Sequence, residues 1–142
     1  MRDRAAATID RKTVEKIVED MLDGLTAGNP AKMVAHMAPD VVYTGDGGGK
    51  YPFRDRREGK DACAELMRAI TIAYECLGST VHRLLVDGDR ASLHRVSRLR
   101  NRGSGRSYDI SICNFMRFRD GMIVEFSQYP DTAALAKLNG DD

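Results

Sequence analysis

ASLHRVSRLR, residues 91–100, alternates with a period of two. One face carries Ala91, Leu93, Arg95, Ser97 and Leu99; the other carries Ser92, His94, Val96, Arg98 and Arg100. Successive side chains of a strand point to opposite faces, so the stretch reads as a strand whose odd-numbered face is turned inward, and that inner face holds an arginine. The pattern extends in both directions. Strands are predicted over 80–87, 90–101, 106–119 and 122–129, joined by DGD, RGSG and RDG. Connections this short make antiparallel hairpins.

The next two strands also have an apolar side. Between Tyr108 and Phe118 the even positions include Ile110, Ile112, Asn114, Met116 and Phe118; on the last strand they are Met122, Val124, Phe126 and Gln128. Each inner face thus carries polar exceptions: Arg95 and Ser97, then Asn114, then Gln128. A three-residue RDG loop, with Gly121 left-handed, sets Ile112 opposite Gln128 and Asn114 opposite Phe126. Around RGSG, Arg95 falls opposite Ile112 or Asn114, so Arg95, Asn114 and Gln128 become neighbours across three strands. A buried guanidinium is costly unless hydrogen-bonded, and polar groups on an apolar floor that includes Ile112 and Phe126 are how ligand pockets orient what they bind. The other reading is structural: an ion pair with Glu19, Asp23 or Glu65, or a face turned the other way to a dimer interface.

Upstream the period is helical. Val14, Ile17, Val18, Met21, Leu22 and Leu25 form one stripe, with Thr13 as the expected N-cap and Gly28 as the stop. Asn29 and Pro30 open a short second helix through about Met37. Val41 to Thr44 reads as a strand that enters a glycine-rich loop, and residues 60–77 read as a third helix with the stripe Ala62, Leu66, Ile70, Ala73, Leu77. Asp131 caps a short closing helix. Helices first and a meander last argue for an α+β domain, helices packed on one face of a curved, mainly antiparallel sheet, with residues 1–12 as a tail and 13–142 as one domain.

Bulk properties narrow the function. The chain has 142 residues, 22 Lys plus Arg and 21 Asp plus Glu, so no basic excess draws it to nucleic acid or anionic lipid. Cys63, Cys76 and Cys113 are odd in number and lack metal-ligand spacing, which implies neither a disulfide framework nor a metal site and fits the reducing cytoplasm. No stretch is apolar enough to span a membrane or act as a signal peptide. The triple glycine at 47–49 is not followed by GK[ST], so it is no phosphate loop.

HRVSRLRNRGSGRSYDISICNFMRFRDGMIVEFSQYPDTAAL, residues 94–135, resembles the nuclear-transport-factor-two-like superfamily in its SnoaL-like branch, whose relatives include ketosteroid isomerase and limonene-epoxide hydrolase. The resemblance covers residues 13–139. It implies a conical half-barrel with the helices on the concave side, a deep apolar pocket, no cofactor and commonly a homodimer through the outer sheet face. Against the hydrolase, Arg95 and Tyr43 match, while the two catalytic aspartates fall on Ser97 and Gln128 and the asparagine on Gly45. That makes epoxide hydrolysis by two carboxylates an unfavoured reading. Against the isomerase, the oxyanion-hole aspartate falls on Asn114, the tyrosine on Met21 and the base on Gly45, with Asp46 one residue along.

The expected function is general acid–base chemistry on a small, largely apolar molecule bearing a polar or anionic group, of isomerase, cyclase, dehydratase or hydrolase type. Asp46 or His36 would move the proton, and Tyr43, Arg95 and Asn114 would hold developing charge. Each has a plainer alternative: Asp46 as a turn residue, His36 as a helix-surface residue, Tyr43 as a core aromatic. His94 is expected on the outer face, and His82 is left undecided between faces. The competing class is a non-catalytic binding or dimerisation module, since this fold hosts both.

Overall fold

The computed structural model describes residues 8–45 and 52–141. The chain folds as α1 (Arg11–Ala27), α2 (Pro30–Met33), β1 (Met37–Gly45), β2 (Arg56–Glu58), α3 (Lys60–Ala73), β3 (Tyr74–Asp87), β4 (Arg90–Asn101), β5 (Ser107–Arg119), β6 (Met122–Pro130) and α4 (Thr132–Asn139). The strands make one mixed sheet in the order β2-β1-β6-β5-β4-β3. Only β1 and β6 run parallel among these neighbours. The sheet is curved and does not close, and the expected α+β architecture is borne out.

Val14, Ile17, Val18 and Met21 of α1 are buried, as the helical stripe requires. The helix begins earlier than expected: Asp10, not Thr13, holds the N-cap position, and the Ile9 amide donates to the Gly88 carbonyl. Gly28 ends it in the left-handed conformation, φ 64°, which residues with a side chain adopt only with strain. Asn29 accepts from the Lys32 amide and Pro30 starts α2, but this helix stops at Met33 and the chain is already extended at Met37. α3 ends at Ala73 rather than 77, and Leu77 is exposed on β3. Its buried stripe is Cys63, Leu66, Met67 and Ile70, one residue round from the expected Ala62 and Ala73.

The meander turns on two details. Asp120 and Gly121 both have positive φ, 53° and 77°, which is a two-residue hairpin turn instead of the expected three-residue loop. A bulge between Arg117 and Phe118 then shifts the β5–β6 register, so Asn114 lies directly opposite Gln128, and Met116 opposite Phe126. The expected pairs Ile112 with Gln128 and Asn114 with Phe126 are each corrected by two residues, which keeps the same face inward. On the other side Arg95 faces Ile112, as one of the two expected registers has it.

The concave face divides into two apolar bodies. Leu93, Met116, Phe118 and Phe126 join the buried sides of α1, α2 and α3. Leu99, Ile110 and Ile112 join Tyr74, Leu135 and Leu138 beneath α4. Along β4 the order is Leu93, Arg95, Ser97, Leu99, and along β5 it is Ile112, Asn114, Met116. A polar belt therefore crosses the floor between the two cores. No helix among the described residues is long and apolar enough to cross a membrane.

Candidate functional site

Alternation on β4, β5 and β6 aims Arg95, Ser97, Asn114 and Gln128 inward, where all four are buried. Each of the three guanidinium nitrogens has an acceptor. Its Nε donates to Asn114 Oδ1 at 2.9 Å, Nη1 to Ser97 Oγ at 2.6 Å and Nη2 to Gln128 Oε1 at 3.1 Å. Asn114 Nδ2 also donates to Gln128 Oε1, at 3.3 Å. Because arginine nitrogens only donate, these contacts decide which end of each carboxamide is oxygen. Ser97 Oγ, which accepts from Arg95, also shares a hydrogen bond with Ser79 Oγ at 2.7 Å.

Every one of these partners is neutral. Among the described residues Arg95 forms no ion pair; Glu19 pairs with Lys16, Glu65 with Arg57, and Asp23 stays exposed on α1. The structural ion pair considered from sequence does not form. Burial pushes the guanidinium down to about 10, which still leaves it protonated at neutral pH. A cation carried out of water costs on the order of several kcal/mol, and neutral acceptors offset only part of that.

Tyr43 is fully buried on β1 and stacks on Phe126 with centroids 5.7 Å apart. Its hydroxyl is the one buried side-chain polar atom among the described residues with no hydrogen-bond partner. Burial, opposed by the nearby Arg95 charge, pushes the phenol well above its ordinary range, so it stays a proton donor. Such an orphan group calls for an explanation.

Beside the belt lies a hollow of about 40 Å³ lined by Met21, Leu22, Leu25, Met33, Met37, Met67, Phe126 and Gln128. Four methionines in one wall make it deformable, since the thioether chain is unbranched and re-packs readily. Sequence reasoning missed this wall and also Ser79. The signals were present: Met33 and Met37 are four apart, and Met21 lies on the buried stripe of α1, whereas Ser79, on β3 directly opposite Ser97, lay just outside the expected strand 80–87.

Other candidates fall elsewhere. His36 sits in the turn after α2, half-exposed, with Nε2 2.7 Å from Asp20 Oδ2, and makes no hydrogen bond to the belt. Asp46 lies outside the described residues. Gly45, onto which the isomerase base maps, can hold no side chain, because a Cβ there would stand 2.2 Å from the Phe53 carbonyl oxygen. His82 stacks on His94 at 5.2 Å, which puts it on the outer face, and His94 bonds Ser111 across the strands. Glu19, Asp20 and Asp23 bring carboxylate oxygens within 4.8 Å of one another on α1, with Lys16 paired to Glu19 and Asp20 and His36 hydrogen-bonded to Asp20. Acidic side chains group in this way on many helices.

An open, curved mixed sheet with helices across its concave side is the architecture of the nuclear-transport-factor-two-like proteins. Within that class the chain belongs to the SnoaL-like domain family, whose model matches residues 18–126. Solved structures agree on the fold. A nuclear-transport-factor-two-like protein of unknown function from Burkholderia pseudomallei superposes with a TM-score of 0.77 at 23% identity, over 89% of this chain and 96% of its own. An LEH-like epoxide hydrolase from M. tuberculosis gives 0.70 at 21%, over 92% of each chain. A protein of ketosteroid isomerase-like fold from Catenulispora acidiphila, in complex with trimethylamine, gives 0.75 at 16%, over 88% and 92%.

Proposed function

We propose that the chain binds a small, largely apolar molecule bearing a carbonyl, hydroxyl or carboxylate group and performs general acid–base chemistry on it, of isomerase, cyclase, dehydratase or hydrolase type. The observation that carries this reading is Arg95, a buried cation whose partners are all neutral. Negative charge arriving with a ligand, or developing on it as a proton leaves carbon, would supply the counter-charge that none of the described residues gives Arg95. Tyr43, neutral and unpartnered, supplies a hydrogen-bond donor to the same oxygen. Asp46, immediately beyond the end of β1, is the proposed base, whereas the bond from His36 to Asp20 speaks for a structural role. Ser97 and Gln128 stand where paired carboxylates would be needed, which argues against epoxide hydrolysis by that route. The proposed chemistry needs no metal or organic cofactor. The free Cys63, Cys76 and Cys113 suit a reducing compartment such as the cytoplasm.

A second reading, a binding module without chemistry, is favoured by the small size of the methionine-lined hollow, about 40 Å³. Both readings share a homodimer through the outer sheet face, where Phe115 and Tyr129 meet edge to face among exposed residues. One experiment separates them. Proton–deuterium exchange next to the carbonyl of cyclic and aliphatic ketones is followed by NMR with the wild type and with Asp46→Asn. An enzyme accelerates exchange, and the variant loses on the order of 10²–10⁴-fold of that rate. Binding without exchange supports the module, and a chain that neither binds nor exchanges the ketones contradicts both readings.

A further inference from the structure

On the convex side of the sheet, β3 and β4 fall out of step at one point. Val81 lies opposite Arg95 and Arg83 opposite His94, so His82 between them is an extra residue without a partner in the register. In an unbroken ladder the residue before Arg83 would face inward, on the side of Arg95. The bulge turns it outward, where His82 is exposed and its ring stands beside that of His94, with centroids 5.2 Å apart and planes 26° apart. Bulges give up regular pairing, and they recur where a side chain has to be re-aimed. The chain has three histidines, and this bulge sets two of them side by side, while His36 is bonded to Asp20.

The spacing of the rings suits a shared ion. Two imidazoles on one tetrahedral zinc, each with its nitrogen about 2.0–2.1 Å from the metal, have their centres about 5 Å apart. Bringing both lone pairs onto the ion needs rotation about the terminal side-chain torsion, which is broad for histidine. His94 is held as ligating histidines are, with Nε2 2.8 Å from Ser111 Oγ. When Nε2 carries the hydrogen and gives it to Ser111, Nδ1 keeps its lone pair for the metal. Neither ring hydrogen-bonds a carboxylate among the described residues, and imidazole favours zinc, copper and nickel over magnesium or calcium. We propose that His82 and His94 form a surface site for a divalent late transition-metal ion, with water in the remaining positions and Ser111 as a positioning residue. The site lies on the face of the sheet opposite to Arg95 and is independent of the small-molecule chemistry proposed above. His82, on the edge strand, stands at the rim of the face that carries Phe115 and Tyr129. Arg83, beside His82 and opposite His94, places a positive charge near the ion and keeps the affinity moderate.

Zinc chloride titrated into the full chain by calorimetry tests the site. The wild type is expected to bind zinc in the micromolar range, and an excess of magnesium chloride is expected not to displace it. His82→Ala and His94→Ala each remove one of two protein ligands and should weaken zinc binding at least about tenfold, with circular dichroism unchanged. Ser111→Ala leaves both ligands in place and should weaken it about tenfold by freeing the His94 ring. Asp23→Asn, in the acidic group on α1, and Cys113→Ser, directly opposite His94, should bind zinc as the wild type does. In 15N-labelled protein, zinc should move the imidazole nitrogens of His82 and His94 and leave those of His36 in place. A wild type that takes up no zinc overturns the proposal. So does zinc affinity that survives in both histidine variants, or that is lost in Asp23→Asn or Cys113→Ser, or a zinc-dependent shift confined to His36.

Discussion

Tyr43 shows how a single atom links stability to function. Its hydroxyl is enclosed without a partner, and a buried hydroxyl left unsatisfied costs on the order of 1–3 kcal/mol. Tyr43→Phe removes that cost, so in the absence of ligand it is expected to stabilise the chain by about 1 kcal/mol in urea denaturation, while weakening ketone binding. The alkaline side carries a second signature. Burial raises the phenol above its ordinary value of 10.0. The unfolded chain therefore releases this proton first as pH climbs past that value, and stability falls with rising pH. Tyr43→Phe should flatten that fall, the remaining slope combining Tyr74 and Cys63, both raised by burial, with Arg95, whose lowering by burial acts in the opposite direction. A stability profile above pH 10 identical in wild type and variant would contradict the burial of the Tyr43 hydroxyl.

The elements owe their positions to close contacts as much as to period. Gly24 is buried in α1, and a Cβ there would stand 2.9 Å from the Met33 amide nitrogen and 3.0 Å from its Cγ. Replacing glycine by alanine inside a helix ordinarily gains about 1 kcal/mol. Here the opposite sign is expected: Gly24→Ala must push α2 outward and displace Met33 from the hollow, for a net loss of about 2 kcal/mol by thermal or urea unfolding. A stabilised variant would show that α1 and α2 do not pack at this glycine. The same scale explains which boundaries the sequence reveals. Strands β4 and β5 alternate, β6 does so beyond the bulge that buries both Ile123 and Val124, and the expected limits of all three stand within a residue of those observed. β2 has three residues, RRE, with no buried face, so it leaves no periodic trace. α3 reads past its end because Leu66, Ile70 and Leu77 continue a helical spacing, while the switch to β pairing at Tyr74 is set by β4 lying alongside. The β5–β6 register was out of reach for a similar reason. The bulge at Arg117 and Phe118 is an outcome of how the hairpin packs, since local alternation is equally compatible with a ladder that lacks it.

For the molecule as a whole, the outer face is the surface that remains unaccounted for. Leu85 is 65% exposed, Phe115 54% and Tyr129 41%, on the side of the sheet away from the helices. The proposed homodimer would bury them, and obligate interfaces are rich in such side chains. Sedimentation velocity is expected to give twice the monomer mass of 15.7 kDa, and Phe115→Asp to return the monomer with its circular dichroism unchanged. A wild type that sediments as a monomer at high micromolar concentration would rule this interface out.

The amino-acid order alone determined that the chain is α+β, that three long strands turn one face inward, and that Arg95, Ser97, Asn114 and Gln128 share that face. Those are consequences of period, and period is written residue by residue. What only the tertiary structure decided is that Asn114 and Gln128 stand directly opposite each other, that no carboxylate among the described residues pairs with Arg95, and that methionines from three helices and a strand nearly fill the space beside them. Each of these depends on distances between segments far apart in the chain, set by one bulge and by how the helices dock, and alternation along a strand carries no information about either.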